Sequence, residues 1–204
     1  EAARAGTAGA FSFAELVAFA RALPPLPVAA GATVAVQAAA PRLDDAVHEL
    51  AARGVHGSRL SPRFLLAAGD GDALTRVLAA PPRGVHVQAV AGCALHAPQQ
   101  GPLATLLGGA LRGRALAPRR ARGWSPRLGR PLTATDAHGD ELAANVAAPC
   151  DFATTVRRLR DEHGVTRFVD LGPGRHAQRF VRHHGGGLVA VSAAERRPLR
   201  ARSA

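Results

Sequence analysis

The spacing of apolar and polar positions changes several times along this chain, and each change predicts an element. "ATVAVQAAA" (Ala32–Ala40) is a nearly unbroken run of small apolar residues, short enough for a buried strand. "PRLDDAVHELAARG" (Pro41–Gly54) then repeats at helical spacing, opened by proline and closed by glycine. "VHGSRL" (Val55–Leu60) and "FLLAAG" (Phe64–Gly69) predict strands around a Ser61-Pro62 turn. "GDALTRVLAA" (Gly71–Ala80) predicts a second helix and "VHVQAVAG" (Val85–Gly92) a last strand. The order βαββαβ is ferredoxin-like, with one small sheet covered by two helices on one face.

The flanks have a different rhythm. Residues 1–23 place apolar groups at helical spacing and predict two helices, the second capped by Ser12 with Glu15 at N3. "PPLPVAAG" (Pro24–Gly31) breaks the pattern and marks a lobe boundary. Beyond the βαββαβ set, "GPLATLLGGALRG" (Gly101–Gly113) predicts a helix, and "AANVAAPCDFATTVRRLRDEHG" (Ala143–Gly164) a helical stretch interrupted at Pro149. A strand, a Gly-Pro-Gly turn and a helix follow in "VTRFVDLGPGRHAQRFVRHHG", then a short strand in "GLVAVSA" and a disordered tail in "ERRPLRARSA". The expected class is α/β: 1–31 and 93–195 form one α/β lobe, 32–92 are an inserted ferredoxin-like lobe, and 196–204 are tail.

Composition narrows the partners. The chain has 204 residues, 47% of them hydrophobic, enough for a real core, yet no apolar run approaches the ~20 residues of a membrane span. With neither span nor signal peptide, the expected location is cytoplasmic. Cys93 and Cys150 lie far apart without C-x-x-C spacing, so they predict buried thiols rather than a disulfide or metal site. The net charge of +11 invites a nucleic-acid reading, but every basic side chain other than histidine is arginine, and lysine, isoleucine, methionine and tyrosine are absent. That is the signature of a GC-rich coding sequence, and it separates the charge from phosphate recognition. Only "PRRARGWSPRLGR" (Pro118–Arg130) is locally dense; with one aromatic it reads as a solvated loop, not a base-stacking surface. No nucleic-acid or membrane partner is expected. A chain that opens "EAARAG" without methionine is expected to be a fragment.

The candidate chemistry starts at "VHVQAVAGCALHAPQQ", where a predicted buried strand runs into His96 and then a proline. A histidine after a strand at a lobe junction serves either as a hydrogen-bonded structural residue or as a base. There is no G-x-S-x-G elbow, and Ser58 and Ser125 stand in other contexts. "DLGPGR" has neither the lysine nor the glycine spacing of a phosphate loop.

Five motifs in order resemble those of the malonyl-CoA:acyl-carrier-protein transacylases and polyketide synthase acyltransferase domains. "EAARAGTAGAFSF" resembles the segment after the family's G-H-S-x-G, with Glu1 at that motif's trailing glutamate. "SPRFLLAAGD" is similar to the Asn-Ser-Pro segment, "CALHAP" to the segment of the general-base histidine, "NVAAP" to N-L-x-x-P, and "FVDLGPG" to F-x-E-x-G-P-G. The resemblance implies acyl transfer from acyl-CoA, through an acyl-serine, to the phosphopantetheine thiol of an acyl carrier protein, with no bound cofactor and with other synthase domains as further partners. It places His96 on the base and Asn145 on the position whose main-chain carbonyl orients the ring; by itself Asn145 reads equally as a cap. The serine would fall just before Glu1, so this chain alone is expected to be inactive.

At the family's carboxylate-binding arginine stands Leu23. Arg21 is on the same predicted helix but points about 160° away at ~100° per residue. Leu60 replaces asparagine before Ser-Pro, and Leu95 stands in "CALH", unlike H-A-F-H or Y-A-S-H. These four positions are the candidate substrate contacts. They imply a non-carboxylated acyl group in place of malonyl, or an inactive acyltransferase-like module that binds a carrier or synthase partner.

Overall fold

The computed structural model describes residues 13–112, 122–133, 136–171 and 175–193. Several expectations lie outside them: Glu1, the first helix, the Ser12 cap, the start of the arginine-dense run, the Gly-Pro-Gly turn and the tail.

Four strands make one sheet: β1 (Ala30–Gln37), β2 (His56–Ser61), β3 (Phe64–Gly69) and β4 (His86–Cys93). Their order is β2-β3-β1-β4, with all three pairings antiparallel. β1 is central, which explains its unbroken apolar run, whereas the edge strand β4 is largely exposed. Alternate residues of β1 face opposite ways. Val34 and Val36 pack with Leu43 and Leu50 of α2 (Ala40–Ala51) and Leu74 and Val77 of α3 (Gly71–Ala79). The leucines of this cluster are at most 1% exposed, and burial of each contributes roughly 1.5–3 kcal/mol. Pro41 sits in the first turn of α2, where a missing N–H costs nothing, and Asp70 caps α3 by accepting from the Ala73 N–H at 2.6 Å. The opposite face of the sheet, with Thr33, Ala35 and Ala68, is also buried. That face adjoins the second lobe.

The second lobe contains α1 (Phe13–Ala22), a 3-10 turn (Pro98–Gln100), α4 (Gly101–Arg112), the short strands β5 (Trp124–Ser125) and β6 (Arg130–Pro131), α5 (His138–Ala147), α6 (Phe152–His163), β7 (Arg167–Asp170), α7 (His176–Arg182) and β8 (Val189–Ser192). α5 begins at His138, ahead of the predicted Ala143, and Pro149 separates it from α6. Asp151 caps α6 through the Thr154 N–H at 2.7 Å, and Gly164 ends it with φ +64°. β7 and β8 are parallel, and Val169, Val189 and the adjoining Leu171 are exposed. A parallel pair normally has both faces covered, so this lobe is an incomplete α/β layer. No helix among the described residues is long and apolar enough to cross a membrane.

Two expectations fail. The described part of the arginine-dense run is not a solvated loop: β5 and β6 pair as a hairpin, Arg127 bonds the buried Glu141, and Arg130 bonds Asp136 at 2.7 Å. The Arg130 guanidinium, with help from the Thr133 N–H, holds the Asp136 carboxyl below its ordinary range. Local charge density hid these carboxylate partners, which come from beyond the run. Nor are the cysteines fully buried. Cys93 and Cys150 are both partly exposed and form no disulfide, and both lie at the seam between the lobes.

Gly31 shows why β1 can meet the loop after β4. Its φ is +147°, and a Cβ there would lie 2.7 Å from the Gly69 carbonyl oxygen and 3.0 Å from Ala94 Cβ. Gly31→Ala should therefore destabilise the protein by about 1–3 kcal/mol. Gly109→Ala, in open space on α4, should stabilise it by about 0.4–1 kcal/mol. Denaturant midpoints check both signs.

Candidate active site

His96 follows β4 by three residues and is the one described non-glycine residue with positive φ, +52°. That conformation costs on the order of 1 kcal/mol or more and persists only where neighbours enforce it. They do so here. Thr33, fully buried on β1, donates through Oγ1 to the Cys93 carbonyl at 2.7 Å and accepts from the Leu95 N–H at 2.9 Å. Gln100 donates to the Ala94 carbonyl at 2.7 Å, and its Oε1 accepts from the Ala29 N–H at 3.3 Å. Ala94 and Ala97, on either side of the histidine, are fully buried.

The ring is oriented from the second lobe. His96 Nδ1 lies 2.6 Å from the main-chain oxygen of Asn145. A carbonyl only accepts, so Nδ1 carries the proton and Nε2 keeps its lone pair in the neutral ring. The sequence explains why that carbonyl is available. In a continuing helix the N–H four residues on would bond it, but that residue is Pro149, which has none. The spacing in "NVAAP" thus removes the i+4 helical donor to the Asn145 oxygen, which accepts from the imidazole.

The segment after Asn145 is tied to β2. The Cys150 N–H donates to Ser58 Oγ at 3.2 Å, and its carbonyl accepts from the Arg59 N–H at 2.9 Å. The Asp151 N–H donates to the Pro126 carbonyl at 3.0 Å. On α5, Glu141 is 5% exposed and accepts from Ser125 Oγ and from Arg127, whose Nε lies 2.9 Å away. Ser125 is thereby spent on structure.

A cavity of about 410 Å3 opens beside the imidazole, lined by Leu60, His96, Trp124, Pro126, Asn145, Cys150, Phe152, His176, Ala177 and Phe180. The lining is apolar and aromatic apart from two histidines, the asparagine and a thiol. Behind it, Ser61 Oγ and His183 Nδ1 lie 2.9 Å apart. Burial, then the cations Arg179 and Arg63, push the His183 imidazole below its ordinary value. His184 is pushed down to about 4, first by burial and then by Arg160, His183, Arg157 and Arg59; its buried Nε2 has no hydrogen-bond partner among the described residues.

This architecture has been seen before. The chain superposes on the malonyl CoA-acyl carrier protein transacylase of Clostridium perfringens with a TM-score of 0.74 at 20% identity, over 94% of this chain and 64% of that one. MCAT from Mycobacterium tuberculosis gives 0.79 at 23% identity, over 94% and 65%. The acyltransferase domain of the iterative polyketide synthase in enediyne biosynthesis gives 0.77 at 23%, over 94% and 51%. The fold is that of these acyltransferases. This chain spans between about half and two thirds of each of them. No family model matches the sequence, and no curated protein matches it.

Within the acyltransferase fold, the sequence-predicted residues divide. His96, Asn145 and Leu60 meet at the cavity. Leu23 does not line it: the side chain is half-buried against Phe19, Leu111 and Leu142, the apolar seam of α1, α4 and α5. Arg21 is exposed, and Leu95 is 38% exposed and lies outside the lining. His176, Cys150, Trp124 and Phe180 line the cavity and were missed. The position of His176 two residues after the Gly-Pro-Gly sequence was the one available signal.

Two measurements check this site. 15N chemical shifts at neutral pH should show His96 protonated at Nδ1; a proton on Nε2 instead would contradict the Asn145 bond. Because the folded His184 ring binds its proton less tightly than the ordinary value of 6.5, its contribution to stability is complete above pH 6.5 and declines as pH falls toward about 4. His184→Gln should flatten that part of the stability curve relative to the parent, as read from unfolding midpoints across this range.

Proposed function

We propose that this chain is part of an acyltransferase that moves an acyl group from coenzyme A to the phosphopantetheine thiol of an acyl carrier protein, in fatty acid or polyketide synthesis. The supporting observation is the imidazole of His96, held at Nδ1 by the Asn145 carbonyl beside an apolar cavity. Nε2 takes a proton from a hydroxyl nucleophile as its oxygen attacks the thioester carbon. The carbon–sulfur bond breaks, and the leaving coenzyme A thiolate takes the proton back from Nε2. In the second half, Nε2 deprotonates the carrier thiol, which attacks the ester, and the serine hydroxyl is restored. On this reading the serine belongs to a G-H-S-x-G motif whose trailing glutamate Glu1 resembles. Ser58, Ser61 and Ser125, each at most 2% exposed, are engaged in structural hydrogen bonds.

The acyl group that suits this cavity is neutral. Among the described residues no arginine lines it, and a buried carboxylate without a hydrogen-bonded cation loses several kcal/mol against water. Leu60, Trp124, Phe152 and Phe180 instead offer apolar contact. A second reading, an inactive module that binds a carrier or synthase partner, draws on the same structural engagement of all three serines.

The test uses the protein translated from upstream of Glu1, incubated with carrier protein and either acetyl-CoA or malonyl-CoA. Acetyl transfer should exceed malonyl transfer, His96→Ala should slow transfer by about 10²–10⁴-fold, and the 204-residue chain alone should gain no acyl adduct by intact mass. Unchanged turnover in His96→Ala would remove the histidine from the mechanism, and no turnover by the parent would favour the inactive module.

A further inference from the structure

A second groove, of about 490 Å3, lies where the small lobe meets α7. Gln37 and Phe64 line it from the sheet, Arg63 from the β2–β3 turn, and Arg179 and His183 from α7 and its end. No carboxylate is among its lining residues. Elsewhere Arg42, Arg59, Arg112, Arg127, Arg130, Arg158 and Arg160 are each paired with Asp or Glu. Arg63 and Arg179 are exposed and have no acidic partner among the described residues. Their combined field is felt at the groove wall, where it adds to burial in lowering the affinity of His183 for its proton. A concave site with two unneutralised guanidinium groups is an anion site, and the planar fork of arginine suits phosphate oxygens.

Its position relates it to the first cavity. Phe64 lines the groove and Phe180 lines the His96 cavity, with ring centroids 5.0 Å apart, so one aromatic pair separates the two. Leu60 in the cavity and Arg63 in the groove are three residues apart, which limits their Cα separation to about 11 Å. We infer that the Arg63–Arg179 groove binds the phosphate of the phosphopantetheine arm whose thiol end reaches His96. The phosphate chemistry stands on the groove alone; assigning it to that arm rests on the acyl-transfer reading.

The test is an NMR titration of the 204-residue chain, following the imidazole signals of His183 and His96. Probes are inorganic phosphate, pantetheine, phosphopantetheine and coenzyme A. Phosphopantetheine should shift both histidines and raise the pKa of His183, while pantetheine, without phosphate, should leave His183 unmoved. Binding should weaken with added salt. Arg63→Gln combined with Arg179→Gln should weaken phosphopantetheine binding tenfold or more while the His96 tautomer stays unchanged; both side chains are exposed, so the fold is kept. Equal shifts by inorganic phosphate and phosphopantetheine at His183, with none at His96, would overturn the assignment to the arm. Phosphopantetheine that moves His96 but not His183, or a double variant that binds as the parent does, would overturn the groove and leave the acyl-transfer reading standing.

Discussion

The hydrogen bond from His96 Nδ1 to the Asn145 carbonyl depends on the two lobes being held in register, and most of the tertiary structure bears on that register. The bond needs a carbonyl to which the residue four on does not donate, which Pro149 ensures, and a histidine in a left-handed conformation, which Thr33 and Gln100 enforce. It also needs the end of α5 to approach the loop after β4. The bonds between β2 and the Cys150–Asp151 segment, and the Glu141–Arg127–Ser125 cluster one turn earlier on α5, set that approach.

The small sheet serves this arrangement by using both its faces. One face gains stability from leucines and valines packed under α2 and α3. The other presents Ala68 and the Thr33 hydroxyl, and Ala94 and Ala97 of the loop after β4 pack there, so that backbone from the second lobe can come close. Gly31 extends the same logic, because any side chain there would collide with the Gly69 carbonyl.

Charge is distributed by the same division of labour. Seven of the described arginines pair with carboxylates, which balances the charge locally around them in a chain of net charge +11. Surface pairs of this kind add little stability. Arg63 and Arg179, in the groove between β1, the β2–β3 turn and α7, have no such partner among the described residues.

The βαββαβ order was legible in the sequence because apolar period and turn residues are local properties, and each strand and helix of the small lobe is short and cleanly bounded. His96 and Asn145 were legible through motif order, and the role of Pro149 follows from its lack of an N–H. The lining of the cavity was not. Leu23 was assigned to the acyl site by register, but its helix packs that side chain against Leu111 and Leu142, and register along a chain does not fix which way a helix faces. His176, Cys150 and Trp124 come from separate segments that meet only when α5, α6 and α7 close on β2. The carboxylates that pair Arg127 and Arg130 likewise lie beyond the local charge run. Sequence determined the elements and the two residues tied by a backbone rule; which side chains share a cavity was decided by packing between distant segments, for which no local pattern exists.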